Sequence, residues 1–356
     1  MKKLKVAIIG VGSISGTHIN GYLKNPDVEL YAFCDINEKR LQFMGDKYGI
    51  TRLYTDEAEM LKALPELDAV SVCTWNSAHA PCTIMALNAG KHVLCEKPMA
   101  MNTQEAMEMQ EAAKRNGKLL MIGFVRRFGK DADIVKDFVE AGRLGEIYYA
   151  KAVTLRRNGN PGGWFGEKAR SGGGPLIDLG VHVIDLTRYL AGKPQVESVY
   201  GATFRKLGAR TNIKTSKAYV SAGASSKDVC DCEDLASAMI RFQGGFVLSV
   251  EMSFSLNIGK GDNSVQLFGT DGGVHMTISE GVKFYSEMDG YLTNITLEGK
   301  TSFDNDAFVS EVANFVDSIL GRAECRNPAE DGVEIMRILD AIYRSAESGH
   351  EEVIVR

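Results

Sequence analysis

The feature that most constrains this chain lies in its first twenty residues. An apolar run, Val6 to Ile9, passes directly into Gly10-Val11-Gly12-Ser13-Ile14-Ser15-Gly16. Such a pattern reads as a strand, a tight turn and the start of a helix, and it matches a dinucleotide fingerprint with Ser15 in the third glycine place. Gly10 suits the turn, Gly12 lets the backbone approach a pyrophosphate, and Ser15 is small enough for close packing of helix on strand. The N–H groups at such a helix start favour phosphate, so Gly10, Gly12, Ser13 and Ile14 are candidate cofactor contacts. Asp35 follows the next apolar run, about 20 residues past the fingerprint, where a carboxylate accepts hydrogen bonds from the adenosine ribose and repels a 2'-phosphate. Ile36-Asn37 supplies no adjacent arginine, so NAD is expected over NADP, with Arg40 one helical turn on as the residue able to soften that preference.

The rest of the amino-terminal part fits this start. Apolar runs at Val28 to Phe33, Ala69 to Cys73, His92 to Cys95 and Leu119 to Ile122 alternate with helical patterns. Asn37 to Tyr48 stops at Gly49, Thr55 to Leu64 opens with acids, and Thr103 to Asn116 stops at Gly117. This predicts a doubly wound parallel sheet, an α/β Rossmann domain over residues 1–124. Beyond it the periodicity changes to two. Phe246, Leu248, Val250, Met252 and Phe254 alternate with Ser249, Glu251, Ser253 and Ser255, and Gln243-Gly244-Gly245 and Asp271-Gly272-Gly273 sit where hairpins turn. Residues 125–356 are therefore expected to form an α+β domain with a large, mainly antiparallel sheet, closed by helices at Asp306 to Leu320 and Ala329 to Ser348. The Gly-rich stretch 158–174 and the polar stretch 208–227 read as loops.

Composition narrows the function. A chain of 356 residues with 44% hydrophobic and 24% charged residues is long enough for two folded domains. A net charge of -5 gives no general attraction to nucleic acid or to an anionic membrane surface. Only six residues separate Lys3 from Gly10, too few for a signal-peptide apolar region, and no apolar run reaches membrane-spanning length. Four of the seven cysteines, Cys34, Cys73, Cys82 and Cys95, fall in or beside apolar segments, as thiols in a reducing compartment do. A cytoplasmic protein is expected. Cys230-Asp231-Cys232 lacks zinc-site spacing and a nearby histidine, so no metal is expected.

Two further segments carry chemistry. Glu96-Lys97-Pro98 follows the strand at His92 to Cys95, at the carboxyl edge of the sheet where open α/β folds bind ligands. Gly172-Gly173-Gly174-Pro175 leads into Asp178, His182 and Asp185, whose spacings of four and three would put all three on one face of a helix.

Taken together, the chain resembles the Gfo/Idh/MocA family over nearly its whole length. The resemblance rests on the fingerprint with His18, on Thr74 and Asn76 to His79, on Glu96-Lys97-Pro98, on Arg127-Phe128, on the glycine triplet with Asp178 and His182, and on Asp331-Gly332. It departs at Trp75, where many members carry proline. The resemblance implies a hydride-transfer site built from Lys97, Asp178 and His182, with Thr74, Asn76, His79, Glu96 and Lys97 beside a tightly held NAD. It also implies Arg127, Lys97, Asp178 and His182 beside a small-molecule polyol, sugar or glycoside. Oxidising an alcohol requires a proton acceptor, for which His182 is the candidate, and a donor to the developing alkoxide, for which Lys97 is. Lys97 remains the alternative base, and Asp178 orients its neighbours. Trp164 and Phe165 offer a stacking surface for a glycoside or, equally, a packed lid. A homo-oligomer is expected from apolar positions such as Phe204 and Val247 on the outer face of the second sheet. A non-catalytic NAD sensor on the same fold is the competing reading.

Overall fold

The computed structural model describes residues 3–208, 210, 212–214, 219–221, 223–225 and 227–355, so much of the polar stretch 208–227 lies outside the described residues. The chain divides into two compact units, one of residues 1–125 with 305–333, the other of residues 126–304 with 334–356.

The first unit is a six-stranded, fully parallel sheet. Its strands are β1 (Leu4–Ile9), β2 (Val28–Cys34), β3 (Leu53–Tyr54), β4 (Ala69–Val72), β5 (His92–Glu96) and β6 (Leu120–Gly123), in the order β3-β2-β1-β4-β5-β6. Helices α1 (Ser15–Lys24), α2 (Glu38–Tyr48), α3 (Glu57–Ala63), α4 (Asn76–Asn88) and α5 (Thr103–Asn116) connect them. Local chemistry sets the helix ends. Asn37, Asp56 and Asn102 each cap a helix by accepting from the backbone N–H three residues on, and Gly49 and Gly117 end helices in the left-handed region. Val6, Ala7, Ile8, Val70, Val93 and Leu94 have no solvent exposure, as central strands covered on both faces require. Strand β3 has two residues, too short to leave a periodic trace in the sequence.

A segment that the sequence pattern assigns to the second domain returns to this unit. Helix Asp306–Ile319 packs on α1 at Gly21, where a Cβ would lie 2.8 Å from Val312 Cβ. The Asn327 carbonyl accepts from Ile122 N at 3.0 Å on the outer strand β6. Edge covering of this kind satisfies backbone groups that would otherwise face solvent.

The second unit is built on a nine-stranded sheet. Its members are β7 (Ile147–Leu155), β8 (Val196–Phe204), β9 (Leu235–Phe242), β10 (Val247–Ser253), β11 (Asp262–Gly269), β12 (Gly272–Thr277), β13 (Gly281–Met288), β14 (Tyr291–Thr296) and β15 (Glu352–Val353). The order is β14-β13-β12-β11-β7-β10-β9-β8-β15, antiparallel throughout except for the β7–β10 pair. The turn at 243–246 is where the glycines predicted it, whereas the β11–β12 turn falls at Thr270-Asp271, and Gly272 and Gly273 already belong to β12. Register puts Ala238, Val250, Ala152, Val265 and Met276 in one buried row across five strands. Helices α6 (Lys130–Glu140), α7 (Lys168–Ser171) and α8 (Val181–Leu190) complete the unit with residues 334–348 of the final helix, Ala329–Ser348. Phe138 of α6 stacks on Phe284 of β13 at 3.9 Å, so that sheet face is sealed. The other face carries Tyr200, Met239 and Tyr285, each at least 40% exposed.

Candidate active site

The glycine turn meets the geometric demands of the fingerprint. Gly10 has φ +85, and a Cβ there would lie 2.8 Å from the Cys73 carbonyl and 2.9 Å from Thr74 N, so only glycine fits between β1 and the end of β4. A Cβ at Gly12 would meet nothing within 4 Å, so the backbone there faces open space. Helix α1 begins without a side-chain cap and without an acid in its first turn, leaving its positive end available to an anion. Gly12 and Ser13 are exposed and Ile14 half-buried. These features fit a bound pyrophosphate.

Asp35 is tied into the same turn. Its Oδ2 accepts from Val11 N at 2.7 Å and its Oδ1 from Asn37 N at 2.8 Å, which leaves further lone pairs on both oxygens for ribose hydroxyls. It does not cap α2, since that task falls to Asn37. Arg40 donates from Nε to the Val11 carbonyl at 2.8 Å and from Nη2 to the Gly12 carbonyl at 3.4 Å. Its guanidinium thus secures the turn rather than standing clear beside the ribose position.

Around Glu96-Lys97-Pro98 the unit is tightly bonded. Lys97 is half-buried, while Glu96 and Pro98 on either side are buried. Glu96 Oε1 lies 2.9 Å from His18 Nε2, and its Oε2 accepts from Lys97 N at 3.1 Å. Burial opposes ionisation of Glu96, but the hydrogen bond from His18 and the nearby Lys97 prevail, holding its carboxyl below the usual range. His79 is 1% exposed, with Nδ1 2.7 Å from the Pro98 carbonyl and Nε2 3.2 Å from the Thr74 carbonyl. Burial pulls His79 down, keeping the ring neutral. The polar atoms of Glu96 and His79, two candidate cofactor contacts, therefore point into the protein. Thr74 is half-buried at the end of β4, and Asn76 is 5% exposed in the first turn of α4.

In the second unit the glycine triplet is explained by close approach. A Cβ on Gly173 would collide with the Tyr343 hydroxyl, and one on Gly174 with the Glu233 carbonyl. Glu233 Oε1 accepts from Gly174 N at 3.0 Å, Leu176 N at 3.2 Å and Tyr343 Oη at 3.0 Å. Burial pushes the Tyr343 phenol well up, so it stays a donor. Glu233 escaped the sequence reading because it sits in an acidic stretch beside Cys230 and Cys232 that resembles an ordinary loop.

The segment that follows is not a regular α-helix. Leu176–Gly180 is a π-helical turn, with Val181 N donating to the carbonyl of Leu176, five residues back, before α8 continues. Between Gly173 and Leu190 only Asp178 and His182 keep partial exposure. Asp185 is buried and does not share their exposure, contrary to the spacing argument; the wide turn changes the angular step between Asp178 and the two later residues, while His182 and Asp185 both lie in the regular helix α8. There it binds Arg127 bidentately, Nε to Oδ2 at 2.9 Å and Nη2 to Oδ1 at 2.6 Å, with side-chain exposures of 1% and 0%. The Arg127 guanidinium also lies 4.8 Å from the Tyr189 ring. Arg127, expected beside the substrate, is thus a fully buried support of the helix that carries His182. Trp164 is half-buried and stacked on Phe165 at 4.1 Å, with Tyr219 edge-on to Phe165 at 6.2 Å. None of the seven cysteines forms a disulfide. Among the described residues there is no metal-holding group of acids, histidines and cysteines, and no helix is long and apolar enough to cross a membrane.

Comparison with known proteins bears on the fold and the family. Residues 4–124 match the model described as an oxidoreductase family, NAD-binding Rossmann fold, and residues 136–355 match its C-terminal alpha/beta domain. The chain is 36% identical over 349 residues to a D-glucoside 3-dehydrogenase of Escherichia coli (strain K12), covering 97% of this chain and 96% of the relative. It is 27% identical over 356 residues to a myo-inositol 2-dehydrogenase of Thermotoga maritima, covering 99% and 100%. Among solved structures, it is similar to an aldose-aldose oxidoreductase from Caulobacter crescentus complexed with glycerol, at 25% identity and a TM-score of 0.81, covering 99% of this chain and 100% of that one.

Proposed function

The chain belongs to the Gfo/Idh/MocA oxidoreductase family, and from that premise we propose that it oxidises a secondary ring hydroxyl of a sugar, glycoside or cyclitol. The observation that carries the reading is the pattern of exposure. Lys97, Asp178 and His182 are the polar residues that keep partial exposure in otherwise buried segments, and they are the groups alcohol oxidation needs. When bound, the nicotinamide supplies the hydride acceptor. His182 takes the hydroxyl proton, and the Lys97 ammonium donates to the oxygen as negative charge develops on it. Asp178 orients the hydroxyl. Thr74 and Asn76 lie beside the dinucleotide, and Trp164 offers its ring to the apolar face of the substrate.

NAD is preferred over NADP in this proposal, because Asp35 presents a carboxylate where a 2'-phosphate would have to sit and Arg40 is occupied with the Val11 and Gly12 carbonyls. The glucoside reading is placed ahead of the inositol one on the stronger likeness to the D-glucoside 3-dehydrogenase. A second copy of the chain covering the open sheet face with Tyr200, Met239 and Tyr285 accounts for that apolar exposure, and the absence of disulfides suits a reducing cytoplasm.

The test is a substrate screen. Purified protein and NAD are mixed with methyl glucosides, free aldoses and inositols, and the near-ultraviolet absorbance of reduced nicotinamide is followed, with keto sugars for the reverse direction. Oxidation of one ring polyol class is expected. The redox state of copurified cofactor is measured alongside, since internal recycling would mask turnover. Cofactor binding without reaction in either direction would favour the redox-sensor reading.

A further inference from the structure

We infer that His18 and His79 are positioning residues that hold the Lys97 backbone from its two sides. The inference rests on the reading that Lys97 acts on the substrate hydroxyl.

On one side runs an unbroken buried chain. Tyr22 Oη lies 2.7 Å from Ser71 Oγ, Ser71 Oγ lies 3.1 Å from His18 Nδ1, and His18 Nε2 lies 2.9 Å from Glu96 Oε1. Tyr22 is 1% exposed, and Ser71 and His18 have no exposure. With one proton on the imidazole, the two ends fix the direction of every bond. Burial pushes the Tyr22 phenol upward, so it donates, and an ionised carboxylate can only accept. One arrangement then satisfies all the atoms. Tyr22 donates to Ser71, Ser71 to His18 Nδ1, His18 Nε2 to Glu96, and the Lys97 amide to the other Glu96 oxygen. Helix α1, which opens on the glycine turn, is thereby bonded to the residue that carries Lys97.

On the other side, His79 of α4 uses its single proton on the shorter contact, donating from Nδ1 to the Pro98 carbonyl. Glu96 and Pro98, the two neighbours of Lys97, are thus each secured by a buried histidine from a different helix. Neither histidine has an exposed polar atom to offer a ligand. Their bonds end on the peptide units around Lys97, so their effect on chemistry passes through where that backbone sits. A shift of about 1 Å in a reacting group costs on the order of 100-fold in rate.

The experiment compares His18→Leu, His18→Gln, His79→Leu and His79→Asn in the full chain, with Lys97→Met as a control. Gln places an amide N–H where His18 Nε2 stood, and Asn places one where His79 Nδ1 stood. The Leu variants are expected to lose about 10- to 100-fold in kcat while KM and the NAD dissociation constant stay within about threefold. The Gln and Asn variants should recover most of that loss. Hydrogen exchange at the Lys97 amide, which needs no substrate, should quicken at least about tenfold in His18→Leu and stay near the parental rate in His18→Gln, with β1 amides unchanged. Unaltered kcat and unaltered exchange in folded Leu variants would overturn the inference, as would a loss confined to NAD affinity. If the Leu variants do not fold, an exchange rate in His18→Gln as fast as in a Glu96→Gln protein overturns it equally. Normal turnover in Lys97→Met would instead discard the functional reading, leaving exchange to decide the positioning.

Discussion

The Arg127–Asp185 pair separates a supporting role from a substrate-binding one. Asp185→Asn replaces a carboxylate that receives two charge-assisted bonds, at 2.9 and 2.6 Å, with a neutral amide that can accept only on one side. The guanidinium left behind has no exposure. Removing one partner from a buried pair costs about 3–5 kcal/mol, because the remaining charge loses its counter-charge. For a unit of about 200 residues each kcal/mol moves the midpoint by about 2–4 °C, so the variant's second unit should melt roughly 10 °C lower. Differential scanning calorimetry is the suitable assay, since two units need not unfold as one. The double variant Arg127→Met with Asp185→Leu removes both charges and should melt above either single variant. Its KM for the substrate should stay within about threefold of the parent if Arg127 only supports the helix. A midpoint in Asp185→Asn within about 1 °C of the parent would refute the energetic argument. A double variant that regains stability but loses substrate affinity would restore Arg127 to the substrate site.

Four further outcomes are expected. Lys97→Met and His182→Ala should each lower turnover at least ~100-fold while cofactor titration stays unchanged. Asp35→Ser with Ile36→Arg should shift preference toward NADP by about one to two orders of magnitude, measured as the ratio of the two dissociation constants. Burial pushes the Glu57 carboxyl from its ordinary 4.5 up to about 7, so the native state binds that proton more tightly than the unfolded chain. Its stabilising contribution is then full below pH 4.5 and lost as pH rises through about 7, so Glu57→Gln should gain unfolding free energy relative to the parent near pH 8 over that near pH 5, by roughly 1–3 kcal/mol, read by denaturant unfolding at the two pH values. Light scattering at micromolar protein should give a mass above one chain, and a strict monomer would remove the proposed covering of Tyr200 and Met239.

What the sequence made legible was whatever depends on local chemistry. Caps at Asn37 and Asn102, stops at Gly49 and Gly117, and the alternation around Val250 all encode their structure within a few residues. Contacts between distant segments leave no such trace. Nothing near Ser71 marks it as the bridge between Tyr22 and His18, 49 and 53 residues away, and nothing near Glu233 points to Gly174. The return of 305–333 to the first unit is invisible for the same reason, because amphipathic helices state that they pack but not on what. The single face expected of Asp178, His182 and Asp185 fails for a different reason, since spacing arguments assume 3.6 residues per turn and the chain abandons that period at Leu176–Gly180. Arg127 is placed beside a substrate by the family resemblance alone, and its pairing with Asp185, 58 residues on, leaves no local trace.

That turn also bears on how such a site can arise and be lost. A π-helical turn carries one more residue than the α-helix it interrupts, which makes it equivalent to a single-codon insertion held in place by its surroundings. Deleting one residue between Leu176 and Gly180 would let α8 run back unbroken toward Pro175 with the phase of the flanking residues kept, because five residues of a π turn and four of an α-helix each make about one revolution. Loss of Leu179 or Gly180 would bring Asp178 to three residues before His182 and replace the wide turn between them with a regular one. Point-mutation surveys never sample this perturbation. Among relatives, a one-residue gap at this position would therefore mark a regular helix in place of the wide turn, even where both side chains are retained.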